Sequence, residues 1–165
     1  MINLVEGPLR RFIEDLTPVL AGISGDIVPG LPASAMPTDV TVEGYNLVTA
    51  FIDADQRQTD EELWALIRSF SSRLPTTLAF ATPEDVRRAR LVTGRRGWLA
   101  APSLLFDTLV QVDRQRRTRY AWLYYERAMD LAHGVCAVDA VPSETELAAV
   151  ERFRSVLLRA IDRAG

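Results

Sequence analysis

Asp55-Gln-Arg-Gln-Thr59-Asp-Glu-Glu62-Leu63 and Asp139-Ala-Val-Pro-Ser143-Glu-Thr-Glu146-Leu147 share the pattern D-x-x-x-[ST]-x-x-E-L, 84 residues apart. The register extends upstream, where Leu47, Val48, Phe51 and Ile52 fall opposite Leu131, Ala132, Val135 and Cys136. Self-similarity of this kind constrains architecture before any single residue does. Here it predicts two related helix-turn-helix units, about residues 39–74 and 119–163, packed with an internal pseudo-twofold.

Part of the pattern has a local explanation. A hydroxyl followed three residues later by glutamate is a capping box, in which the hydroxyl accepts the glutamate's backbone N–H and the carboxylate reaches back. Thr59 with Glu62, and Ser143 with Glu146, are both expected to close such boxes. The aspartate four residues before each hydroxyl is not explained this way. It lies at the end of the preceding helix, where the macrodipole disfavours an anion. Turn N–H groups, an arginine or a cation must compensate.

Working outward, the apolar spacing is helical and no period-2 strand appears. A first helix opens at Gly7-Pro8 and runs to about Ala21. Residues 22–38, with three glycines and three prolines, form an irregular connection. It reads equally as a functional loop or as a wrap over the core. A helix capped by Thr38 or Asp39 runs to about Ala54, and one capped by Thr59 buries Leu63, Leu66, Ile67, Phe70 and Leu74. Thr82-Pro83-Glu84-Asp85 is a strong helix start, with that helix ending near Gly94. Arg95 to Leu99 forms a further turn, and Pro102 opens a helix to about Val112. The longest helix spans about Thr118 to Val138, with Trp122, Tyr125, Met129, Ala132 and Cys136 inward. Ser143 caps the last, burying Leu147, Val150, Phe153, Leu157 and Ile161. The expected fold is all-α: one domain over 1–165, a compact bundle of seven or eight helices.

Composition narrows the function classes. All 19 basic residues are arginine, which excludes a Schiff-base or P-loop lysine. The single cysteine excludes an internal disulfide. No stretch approaches the roughly 18 apolar residues of a membrane span, no signal peptide is visible, and a cytoplasmic location is expected. His133 and Cys136 are the only His and Cys, too few for zinc. An EF-hand counted from Asp53 fails, with Gln58 at its glycine and Trp64 at its bidentate glutamate. Charge is segregated: residues 39–62 hold seven acids and one arginine, and residues 87–119 hold nine arginines and two acids. Such a dipolar surface can orient a partner, and Arg95, Arg96, Arg116 and Arg117 are its candidate contacts. A net charge of −3 argues against dedicated nucleic-acid binding.

The twice-occurring D-x-x-x-[ST]-x-x-E turn in an all-helical chain resembles the TerB-like family, over roughly residues 39–163. That resemblance implies a bundle of about seven helices. It also implies suspected metal-ligand roles for Asp55, Glu62, Asp139 and Glu146. Gln56 and Ala140 stand where that family usually has glycine. The runs from Phe51 to Leu66, Ala81 to Arg87 and Pro102 to Asp107 also resemble the N-terminal region of actinobacterial CbxX-type AAA+ ATPases. This implies a piece of a longer protein, cut within its last helix. The expected function is therefore a non-catalytic interaction or regulatory module of such an ATPase, recruiting a protein partner or assisting assembly. It would have no cofactor beyond a weakly held divalent cation. The alternative is a stand-alone TerB-like divalent-cation-binding stress-response protein.

Overall fold

A computed structural model describes residues 3–23, 33–78 and 81–164. Among them are eight α-helices and no strand. The helices are α1 (Glu6–Ile23), α2 (Met36–Asp53), α3 (Asp60–Phe70), α4 (Pro75–Leu78), α5 (Pro83–Arg88), α6 (Leu104–Arg116), α7 (Tyr120–Cys136) and α8 (Glu144–Ala164). Two 3-10 turns, Ala33–Ala35 and Arg95–Ala100, precede α2 and α6.

The α2 helix is the axis of the bundle, because its second half, from Leu47 to Asp53, is buried all round. Val40, Leu47, Val48, Ala50, Phe51 and Ile52 are all buried, on more than one face. Helices α1, α3, α7 and α8 and the turn at 95–100 pack around it. The buried hydroxyl of Thr49 is satisfied within this helix, donating to the Tyr45 carbonyl at 2.8 Å. Edge-to-face aromatic contacts tie the layers: Phe12 and Phe106 on Tyr124, Phe51 on Phe153, and Tyr45 on Phe70. Such pairs contribute about 0.5–1.5 kcal/mol each beyond their burial.

Several elements differ from the sequence expectation. Helix α1 reaches Ile23, and α2 begins at Met36, so the irregular segment is shorter than 22–38. Its residues 24–32 lie outside the described residues. Pro37 sits in the first turn of α2, where its missing N–H is no loss. The helix therefore starts ahead of Thr38 and Asp39, and neither caps it. Helix α5 stops at Arg88, well short of Gly94. The longest helix is α8, at 21 residues. On α7 Met129, Ala132 and Cys136 are buried as expected, together with Tyr124, Ala128, Leu131 and Val135, whereas Trp122 and Tyr125 are only half-buried. Those two rings pack on each other instead, with the Arg119 guanidinium over Trp122.

Helices α1 and α7 approach closely at Gly134. A Cβ there would lie 2.7 Å from the Leu4 carbonyl oxygen and 3.2 Å from Pro8 Cγ. At Gly44 the nearest atom, at 2.8 Å, is the tip of the Leu9 side chain. Alanine gains roughly 1 kcal/mol over glycine in a helix interior, but overpacking against fixed backbone costs about 1–3 kcal/mol. Gly134→Ala should therefore destabilise the protein, and more than Gly44→Ala does. Urea denaturation of both variants measures the order, and a Gly134→Ala protein at least as stable as the parent refutes the close-packing account.

Candidate metal centre at the paired turns

The first turn is built from backbone outward. After α2 ends, Gln56 takes a left-handed conformation with φ of 60°. Its N–H bonds the Asp53 carbonyl at 2.9 Å. The reversal exposes the Arg57 N–H, which donates to Asp55 Oδ1 at 3.0 Å. Thr59 is the extended N-cap of α3 and closes a full capping box with Glu62. The Glu62 N–H donates to Thr59 Oγ1 at 3.2 Å, and the Thr59 N–H to Glu62 Oε1 at 3.2 Å.

The second turn is similar. The Glu146 N–H donates to Ser143 Oγ at 3.1 Å. The Ser143 N–H in turn favours the Glu146 anion slightly. Glu146 lies inside the protein, with 1% exposure, and its Oε1 is buried with no hydrogen-bond partner.

The two turns are locked to each other by exchange. Thr59 Oγ1 donates toward Asp139 Oδ1 at 3.0 Å, and Ser143 Oγ donates to Asp55 Oδ2 at 2.8 Å. Each hydroxyl caps its own helix as acceptor and serves the other turn's aspartate as donor. This resolves the unexplained aspartates: Asp55 is compensated by a turn N–H and the opposite hydroxyl, Asp139 by the opposite hydroxyl.

Of the four acids anticipated as ligands, Glu62, Asp139 and Glu146 converge, each with an oxygen within 4.8 Å of the others. Asp55 stands beside them, close enough for its charge to act on Glu146. Burial, then the neighbouring carboxylates, push the two glutamates up, Glu62 to about 8 and Glu146 to about 7. Thr59 has one proton to offer to both Glu62 Oε1, at 3.0 Å, and Asp139 Oδ1. A Glu62 that keeps its own proton frees that hydroxyl for Asp139. Cys136 is buried next to this cluster, and desolvation followed by the Glu146 charge raises its thiol to about 12. The thiol is therefore inert.

The arginine candidates lie at two places, Arg95 and Arg96 in the turn at 95–100 and Arg116 and Arg117 at the end of α6. Arg96 is bound internally, its Nη1 3.1 Å and its backbone N 3.0 Å from Asp53 Oδ2. Arg95 reaches Asn46 Oδ1 at 3.5 Å. Arg116 ends α6 and Arg117 is its left-handed C-cap. His133 is exposed while Cys136 is buried, so the two form no site.

One polar cluster had no sequence reading: Glu43, buried on α2, accepts from Ser103 Oγ and Tyr124 Oη, each at 2.5 Å. The available signal was register. Glu43 falls at i+7 from Met36, i+3 from Val40 and i−4 from Leu47, all buried, so it sits on a core stripe. The same signal marks Glu146, which precedes Val150, Phe153 and Leu157 at i, i+4, i+7 and i+11, a core stripe. Leu147, expected inside, is displaced outward to 47% exposure.

Comparison of the chain with protein-family models, with curated proteins and with solved structures returned no match. The reading of the site therefore rests on its own geometry.

Two expectations follow from that geometry. Both glutamate pKa values lie above the ordinary 4.5, so between about pH 4.5 and 8 the native state holds protons that the unfolded chain has released. Their contribution to stability is complete below that window and is lost as pH rises through 7 to 8. In metal-free buffer the stability should fall across this range, and Glu62→Gln should flatten the fall. An unchanged pH profile in that variant contradicts the assignment. Separately, Gln56→Gly should raise stability by up to about 1 kcal/mol, because a left-handed non-glycine residue is strained. A loss measured by chemical denaturation would argue against a strained turn.

Proposed function

We propose that this protein is a non-catalytic helical domain that holds a divalent cation between its two acidic turns, in a regulatory or interaction role. The observation that carries this reading is Glu146. Its Oε1 is buried without a hydrogen bond, beside two further carboxylates. A buried unpaired acceptor costs about 1–3 kcal/mol, more if charged. A ligand that supplies positive charge removes that cost.

The donor set fits a hard cation. All converging ligand atoms are carboxylate oxygens, which suits Ca²⁺, Mg²⁺ or Mn²⁺ and not a soft metal. Their 4.8 Å spread is what two Ca²⁺–oxygen bonds of about 2.3–2.6 Å can bridge. Glu62, Asp139 and Glu146 would be the ligands, with Asp55 adding charge from beside them. A bound ion would offset the mutual repulsion of these acids and strengthen the clamp between the α2–α3 and α7–α8 turns. Thr59 and Ser143 keep their capping roles either way.

The resemblance to the N-terminal region of CbxX-type AAA+ ATPases supports placing such a domain beside a motor, where it would recruit a partner or assist assembly. Arg95 and Arg117, exposed on the basic segment, favour a protein-facing surface there, since exposed arginines act mainly on association rate and salt sensitivity.

Titration calorimetry with Ca²⁺, Mg²⁺ and Mn²⁺ at pH 7.5 tests the cation reading. The expected result is one ion per chain, with proton release, and loss of binding in Glu146→Gln. Saturation at a hundredfold excess over Kd should raise stability by about 2.7 kcal/mol. No heat and no thermal shift with any of the three ions, or unchanged binding in Glu146→Gln, rejects it.

A further inference from the structure

A second site lies on the other half of α2. A cleft of about 530 Å³ opens between the first half of α2, Trp98 and the start of α6. Its volume falls in the range of small-molecule sites, about 300–1,000 Å³. Leu20, Met36, Val42, Trp98 and Leu105 make its walls mainly apolar, and Glu43 is among its lining residues. Glu43 precedes Asp53 by ten residues, about 15 Å along the helix, so this cleft is separate from the acidic turns.

Glu43 is the anomaly. It is only 7% exposed, and its Oε2 receives two hydroxyl hydrogen bonds. Burial raises its pKa, the hydroxyls only partly opposing that. Among the described residues no arginine pairs with it, although the chain carries 19. Buried charges are ordinarily paired, and this fold does pair Asp53, on the same helix, with Arg96. Ser103 and Tyr124 hold the Glu43 carboxylate in place without neutralising it, and the cleft it lines carries a second acid, Asp39. A carboxylate fixed in an apolar cleft, with no internal counterion, is complementary to an organic cation that brings its own apolar body.

We infer that the cleft between α2 and α6 binds a small amphiphilic amine, its alkyl or aryl part against Met36, Val42, Trp98 and Leu105 and its ammonium on Glu43. This site is independent of the cation reading of the paired turns. The ammonium supplies the missing charge, and the burial of Glu43 to 7% exposure limits the screening of the pair.

The test uses three probes of one chain length, n-octylammonium, n-octanol and octanoate, each below its micelle concentration at pH 7.5. Binding is followed by calorimetry and by amide chemical shifts. Octylammonium should bind saturably, one per chain, at least tenfold tighter than octanol, with octanoate weakest. Shifts should concentrate at Val42, Trp98 and Leu105. Glu43→Gln, shown folded by circular dichroism, should bring octylammonium to within about twofold of octanol. Thr108→Trp fills the cleft from a half-buried position on α6 without touching Glu43, and should abolish binding of both. The inference is overturned if octylammonium binds no tighter than octanol or does not saturate. It is equally overturned if Thr108→Trp leaves binding intact, or if sedimentation shows the cleft closed by dimerisation of the chain.

Discussion

The exchange of hydroxyl hydrogen bonds between the two turns is the constraint on which the site depends. A capping hydroxyl has two functions to give: its lone pair satisfies an orphan helix N–H, and its proton remains free. Thr59 and Ser143 each give the proton to the opposite turn's aspartate. The consequence is positional. The N-termini of α3 and α8 must abut, and the third residue of each helix is a glutamate facing the junction. Convergence of Glu62 and Glu146 beside Asp139 is thus forced by capping geometry. The raised pKa values of the glutamates follow from burial and from carboxylates that capping has brought together.

The local half of this arrangement was legible in the sequence because it is local. Helix starts at Thr59, Thr82 and Ser143 follow from a hydroxyl and an acid three residues apart, and no tertiary information is needed. The cross-pairing is not local. Asp139 and Thr59 are 80 residues apart, and Asp55 and Ser143 are 88 apart. Sequence periodicity placed Met129, Ala132 and Cys136 of α7 in the core, where they are, and put Trp122 and Tyr125 there too, which are only half-buried. The helix instead buries Tyr124, whose hydroxyl has a buried carboxylate to reach. Large rings with an edge-to-face partner and an arginine above them can remain at the surface.

Gln56 shows the same division. The resemblance leads one to expect glycine there, and the turn does demand a left-handed backbone. A polar, unbranched side chain tolerates that conformation at a modest cost, and the turn keeps its shape. Ala140, the matching residue of the second turn, carries no positive φ. The two turns therefore reach the same junction by different backbone paths.

The acids of the fold differ in the donors that their positions supply. Asp53 sits at the C-terminus of α2, the least favourable place for an anion, and it is buried. The fold answers with Arg96, which gives both a guanidinium and a backbone N–H to the same oxygen. Asp113, by contrast, needs no arginine, because it collects the first N–H groups of α7, where the dipole favours it. Each of these acids is matched by a donor that its own position explains. Glu62, Asp139 and Glu146 receive no arginine among the described residues, in a chain whose every cation is arginine. The planar guanidinium needs room for a fork of donors, and a junction of two helix N-termini packed against Cys136 offers little. What fits among three carboxylates at that spacing is a proton or a small ion. Burial and the neighbouring carboxylates favour the proton on Glu62 and Glu146, and a divalent ion held there, as proposed, would take its place with proton release.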